Sequence, residues 1–86
     1  MSLKEYRLRK RLKKGFEACH NGDTLLWCYQ VQELTKQQTK KTLMLVHQII
    51  AQLLCDPYYG SGVEVFDYNG MLVYGFENGA ALYVTD

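Results

Sequence analysis

The longest periodic stretch of apolar residues lies between Thr35 and Cys55. Apolar side chains recur there every three or four residues, which is the spacing of one face of an α-helix. Thr35 and Gln38 fit a capping box at the start of this helix, and Pro57 disfavours helical geometry at the residue before it. The pattern therefore predicts a core helix over 35–55, with an apolar stripe formed by Leu43, Val46, Ile49, Ile50, Leu53 and Leu54.

A second helical pattern occupies the N-terminal part of the chain. Ser2 and Glu5 fit another capping box, and Asn21 followed by Gly22 is typical of the end of a helix. Basic residues occupy most of the circumference outside a narrow apolar stripe, so we expect the helix to present several cations to solvent. The pattern predicts a helix from Ser2 to Cys19, with the apolar stripe Leu8, Leu12, Phe16 and Cys19.

Residues 23–34 fit two structures. Trp27, Tyr29 and Val31 alternate with other residues, which is the period of a half-buried strand, and these residue types favour strands. Asp23 could instead cap a short helix over the same residues. We favour the strand and keep the helix as an alternative.

The last third of the chain has the pattern of three short strands, at 63–68, 71–76 and 80–85. Asn-Gly pairs separate them at 69–70 and 78–79. Asn-Gly favours the two-residue turn of a β-hairpin, because both turn residues need a positive φ. The sequence therefore predicts a three-stranded antiparallel meander.

Two-residue turns at both places would fix the register of the meander, and with it the residues that share a face. Tyr74, Phe76 and Tyr83 would then lie together on one face. Both faces are largely apolar, although an antiparallel sheet usually has one solvated face. We predict a single α+β domain over 1–86, with too little helix surface to cover both sides of the sheet.

Composition restricts the classes of protein. The chain has 86 residues, of which 48% are hydrophobic, and no apolar run approaches the ~20 residues that span a bilayer. A basic start without a following apolar segment is not a secretory signal, so we expect a cytoplasmic protein. Cys19, Cys28 and Cys55 are widely spaced among apolar neighbours, which favours reduced structural thiols over a disulfide or a metal site.

Charge is distributed unevenly along the chain. Residues 1–41 hold all ten Lys and Arg, whereas 42–86 hold five acidic residues and no basic one. A basic helix is typical of a solvated surface, but it also fits binding to nucleic acid or to an acidic protein. Its apolar stripe is too narrow for a membrane-surface helix. The candidate residues for a partner or nucleic acid are Lys4, Tyr6, Arg7, Lys10, Arg11 and Lys14.

Catalytic chemistry has little support in the sequence. His20 and His47 have no partner at a spacing that would orient a base, and the carboxylates occur singly. Gly60 to Gly62 leads from a helix into a strand, the reverse of a phosphate-binding loop. We therefore expect no catalytic residue, metal, cofactor or small-molecule substrate. The sequence favours a non-enzymatic protein-interaction or regulatory module, most simply a homodimer with Tyr74, Phe76 and Tyr83 in the interface, and the alternative is a nucleic-acid-binding protein that uses the basic helix.

Overall fold

The chain folds into two long helices, one short helix and a four-stranded sheet. The computed structural model describes all 86 residues. Its α+β class agrees with the prediction, and residues 23–34 contain a strand rather than a helix. The elements are α1 (Leu3–Asn21), β1 (Leu26–Gln30), α2 (Lys36–Cys55), α3 (Pro57–Gly60), β2 (Glu64–Tyr68), β3 (Met71–Gly75) and β4 (Ala81–Thr85).

Side-chain caps define where the long helices begin. The Ser2 hydroxyl accepts a hydrogen bond from the backbone N–H of Glu5 at 3.1 Å, and the Thr35 hydroxyl accepts one from Gln38 at 3.1 Å. These bonds satisfy backbone donors that have no partner inside a helix, so both predicted start points are confirmed. α1 ends at Asn21, two residues beyond the predicted Cys19, and Gly22 caps it with a φ of 75°.

The strands are arranged in the order β1-β4-β3-β2. β2, β3 and β4 form the predicted antiparallel meander. β1 adds to the outer side of β4 and runs parallel to it. β4, which follows every other element in the chain, therefore lies inside the sheet, and β1 and β2 are its edges.

The two hairpin turns differ in length. The turn at Asn69 and Gly70 has two residues, both with positive φ, as predicted. The second turn contains three residues, 77–79, because Phe76 pairs with Ala80 through a 2.8 Å hydrogen bond from its N–H to the Ala80 carbonyl. Gly79, with a φ of 90°, takes the left-handed position that a three-residue loop requires.

One extra turn residue changes the face on which each β4 side chain lies. Tyr83 pairs with Val73, and Leu82 pairs with Tyr74. The predicted register of the last hairpin is therefore wrong, and so is the prediction that Tyr74, Phe76 and Tyr83 share one face. Tyr83 lies on the opposite face of the sheet.

Both long helices pack on the same face of the sheet. Phe16 of α1 contacts Phe76 edge to face, with ring centroids 5.6 Å apart. In α2, Val46 and Ile50 are fully buried as predicted, whereas Leu43 and Leu54 are only partly buried. The core consists of Leu8, Leu12, Phe16, Cys19, Val31, Val46, Ile49, Ile50, Leu53, Tyr74, Phe76, Ala80, Leu82 and Val84.

The long helices run parallel to one another. Lys4 near the start of α1 lines a hollow with Lys41 near the start of α2, and Arg9 donates a 2.6 Å hydrogen bond to Gln52, which is further along α2. Further along, Glu17 accepts a 3.5 Å hydrogen bond from Tyr59 in the helix that follows α2. Because residue numbers rise together along both helices, their N-terminal ends lie at the same end of the molecule.

Candidate functional site

The side of the sheet that faces away from the helices is uncovered. Strand pairing places Phe66, Val73, Tyr83 and Cys28 in one row across all four strands. The neighbouring row, which contains Tyr74 and Leu82, points to the helices. We call the uncovered side the open sheet face; its large residues are Leu26, Cys28, Phe66, Tyr68, Met71, Val73 and Tyr83.

The open sheet face is apolar and accessible. Leu26 and Tyr68 are each 59% exposed, and Phe66 is 41% exposed. Glu64 is the one charged residue whose position in the register puts it on this face. Four strands about 4.8 Å apart, each of five residues rising ~3.3 Å, give a footprint of roughly 300 Å². Contiguous apolar patches of about this size are often functional.

Two of the three predicted interface residues belong to the core instead. Tyr74 and Phe76 are 3% and 6% exposed and lie under α1, so they are not available to a partner. Burial also raises the pKa of the Tyr74 hydroxyl. Tyr83 does lie on the open sheet face, where a side-chain hydrogen bond with Cys28 raises the pKa of its hydroxyl. The remaining residues of this face were not predicted as an interface, because the sequence does not show which face of the meander the helices cover.

The basic residues of α1 differ in the contacts that their side chains make. The Lys4 ammonium forms a 2.6 Å ion pair with Glu33, and this hydrogen bond, together with one from Thr42, lowers the pKa of the Glu33 carboxyl. The Arg11 guanidinium lies 4.6 Å above the ring of Tyr29. These contacts hold one flank of α1 against β1 and the loop that follows it.

The predicted residues on α1 separate into two sets. Lys4, Arg7 and Arg11 face a cleft of about 570 Å³ between α1 and the residues from Tyr29 to Glu33, which we call the α1–β1 cleft. The other predicted residues, Tyr6, Lys10 and Lys14, do not line this cleft. All three are exposed.

The structure brings lysines of α2 close to α1, although they are far away in the sequence. Lys41 and Lys4 line the same small hollow, because the two helices begin at the same end of the molecule. Lys36 and Lys40 lie on the neighbouring side of α2. These lysines are not among the residues predicted from the sequence. They lie close to the basic residues of α1 because the two helices run in the same direction.

Few groups are placed for catalysis or metal binding. The structure contains no cluster of three or more His, Cys, Asp or Glu side chains that could hold a metal ion. The Cys19 thiol is buried, which raises its pKa and disfavours the nucleophilic thiolate. Cys28 and Cys55 are exposed free thiols. None of the helices is sufficiently long and apolar to cross a membrane.

Comparison of the chain with models of protein families, with curated proteins and with solved structures found no match. The two surfaces on which a functional proposal can be based are therefore the open sheet face and the basic side of α1.

Proposed function

We propose that this protein is an interaction module that associates with a second copy of itself through the open sheet face. The observation that carries the proposal is the apolar row of Phe66, Val73, Tyr83 and Cys28, which crosses the whole sheet without a helix above it. Removing apolar surface from water contributes about 25 cal/mol per Å², so a second layer on this face is favourable. Two stacked sheets about 10 Å apart would form a sandwich.

The charge distribution favours a second copy as the occupant. The parallel helices place Lys4 and Lys41 at one end of the molecule, and Glu17 and Asp56 near the helix C-termini at the other. A two-fold axis perpendicular to the strands would place the basic end of each copy over the acidic end of the other. Such an arrangement is self-complementary, as a closed dimer requires, and its apolar centre contains few charges.

Substitution of two aromatic residues on the open sheet face tests the proposal. We expect the wild type to form dimers at micromolar concentration in sedimentation equilibrium, and Phe66→Thr with Tyr68→Thr to be monomeric. Threonine removes the aromatic area but keeps a residue type that favours strands. Tyr58→Thr is the control, because Tyr58 is 69% exposed but belongs to α3. A monomeric wild type, or equal dissociation of the control, would contradict the proposal.

The exposed thiols report which surface is covered. Cys28 lies on the open sheet face, and Cys55 at the end of α2 is exposed elsewhere. We expect a thiol reagent to modify Cys55 rapidly and Cys28 slowly in the dimer. Dilution to the monomer, or the double threonine variant, should accelerate only Cys28. If Cys28 in the associated wild type reacts as fast as in the monomer, the contact involves another surface.

A second proposal is that α1 binds nucleic acid. Tyr6, Lys10 and Lys14 point into solvent, and the one salt bridge of the protein involves Lys4 instead. Cations on a helix release counterions when they contact phosphates, and an exposed tyrosine can stack on a base. These residues form a surface separate from the open sheet face, so the two proposals are independent.

Salt dependence tests the nucleic-acid proposal. In fluorescence anisotropy with a mixed-sequence duplex, the log–log slope of affinity against salt should be about −0.9 for each phosphate contact. Lys10→Gln with Lys14→Gln should flatten this slope by about two contacts and leave the fold intact, since both side chains are exposed. Lys36→Gln with Lys40→Gln removes the same charge from α2 as a control. If the wild type does not bind the duplex at low salt, the proposal is wrong. If the control flattens the salt slope as much as Lys10→Gln with Lys14→Gln does, α1 is not the binding site.

A further inference from the structure

We infer that the α1–β1 cleft binds an extended acidic peptide, which adds to the free edge of β1 as a fifth strand. The site differs from the open sheet face, because it lies at the edge of the sheet and under the flank of α1. It therefore goes beyond the proposed self-association, and each can be tested without the other.

The edge of β1 has unpaired backbone groups. Ala81 donates a 2.9 Å hydrogen bond to the Leu25 carbonyl, and Val31 donates a 2.7 Å bond to the Thr85 carbonyl. In a parallel ladder alternate residues bond to the same neighbour, so the odd-numbered residues of β1 face β4. The N–H and C=O groups of Leu26, Cys28 and Gln30 consequently point outward. The Thr24 hydroxyl bonds to both groups of Leu26, so those of Cys28 and Gln30 are the ones available to a new strand. Such an edge is a template for another strand.

The cleft has the dimensions of a short extended peptide. Its helical wall runs from Leu3 to Arg11, about 12 Å at ~1.5 Å per residue. An extended chain of about four residues has this length at ~3.3 Å per residue. The opposite wall is formed by consecutive residues from Tyr29 to Glu33, and the volume of about 570 Å³ lies within the usual range of ~300–1,000 Å³ for ligand sites.

Charge defines the chemistry of the peptide. Glu33 already neutralises Lys4, which leaves Arg7 and Arg11 as the free cations of the cleft. These arginines are four residues apart on α1, a rise of about 6 Å, and alternate side chains of a strand are about 6.6 Å apart. Acidic residues at positions i and i+2 of the peptide therefore match the two arginines, each of which can bind a carboxylate through two hydrogen bonds.

The same features favour a peptide over a nucleic-acid strand in this cleft. A peptide offers alternating N–H and C=O groups that pair with the edge of β1, whereas a nucleic acid has no such ladder. The aromatic ring in the cleft, Tyr29, already has Arg11 over one face at 4.6 Å, which removes that face from base stacking. Arg11 keeps the edge of its guanidinium group for a carboxylate while its plane stacks on the ring.

The experiment uses the single tryptophan as a reporter, since Trp27 belongs to β1. A capped pentapeptide of alternating glutamate and valine should change its fluorescence saturably, and the matching lysine–valine peptide should not. We expect Arg7→Gln, and Arg7→Gln with Arg11→Gln, to weaken binding about tenfold or more. Lys10→Gln with Lys14→Gln is the matched control for net charge and should change the affinity less than about threefold, because these exposed side chains do not line the cleft.

Backbone methylation tests strand addition separately from charge. Two glutamate–valine peptides are compared, one N-methylated at odd positions and one at even positions. Because alternate N–H groups of a strand point to the same side, only one of the two peptides should lose binding. Binding that survives in both peptides would overturn strand addition, and so would equal weakening by the Lys10 and Lys14 control. A mixed-sequence single-stranded oligonucleotide that binds through Arg7 more tightly than the acidic peptide would show a nucleic-acid site instead.

Discussion

At the scale of single residues, His47 combines burial with an unsatisfied ring nitrogen. Its Nδ1 is buried and has no hydrogen-bond partner, and burial lowers the pKa of the imidazole below its usual value of 6.5. The hollow beside it is lined by apolar residues such as Leu72 and Val84, and Asp86 is the charged residue there. The folded protein therefore binds a proton at His47 less readily than the unfolded chain does.

This difference predicts how stability depends on pH. As the pH falls below about 6.5 towards the lowered pKa of the folded state, the unfolded chain takes up the proton first, so stability decreases; above that range His47 has no effect. We expect the Tm of the wild type to fall between about pH 7 and pH 5.5, and the fall to be smaller in His47→Gln. If the Tm of His47→Gln changes with pH as much as that of the wild type, His47 is not the cause of the pH dependence.

At the scale of elements, the loop between β3 and β4 is fixed by Asn78. Its side-chain amide donates a 2.8 Å hydrogen bond to the Cys19 carbonyl near the end of α1, and its carbonyl oxygen accepts a 2.9 Å bond from the Ala80 N–H. Carbonyls in the last turn of a helix have no partner within it, so Asn78 supplies one. The loop and the helix end therefore stabilise one another.

Asn78→Ala should lower the free energy of unfolding by about 1–3 kcal/mol, because it removes a hydrogen bond to α1 and leaves the Ala80 N–H without its partner. Denaturant titration followed by circular dichroism measures this difference. Asn21→Ala is the matched control: Asn21 lies in the exposed last turn of α1, and its side chain makes no hydrogen bond in the structure. Equal midpoints for both variants would show that Asn78 does not hold the loop.

The same loop explains which part of the sheet could be predicted from sequence. Strand bounds and the turn at Asn69 follow from local patterns, and the structure agrees with the bounds to within one residue and with the turn. Asn78 and Gly79 fit two loop lengths equally well, and the choice between them depends on Cys19, which is 59 residues away in the chain. No pattern within the hairpin contains that information. The face on which Tyr83 lies was consequently predicted wrongly.

At the scale of the whole molecule, the arrangement of the layers determines which residues are available. Helical periodicity predicted α1 and α2, and the composition of α1 predicted its basic surface. The separation of Arg7 and Arg11 from Lys10 and Lys14 could not be predicted, since it depends on the strand beside α1. An uncovered part of the sheet was predicted from the small apolar surface of the helices, but the face was not, because local patterns do not state that both helices pack on the same side.

The interior position of β4 has a consequence for how the protein is made. Leu82 and Val84 complete the core at 0% and 4% exposure, yet they follow every other element in the chain. At about 5–20 residues per second, the 55 residues from the end of β1 at Gln30 to the end of β4 at Thr85 take roughly 3–11 s to synthesise. Throughout that time β1 has no neighbour, and the hairpin of β2 and β3 lacks the strand that joins it to β1. The nascent chain therefore exposes unpaired strand edges for several seconds, and the sheet becomes continuous only when β4 has been made.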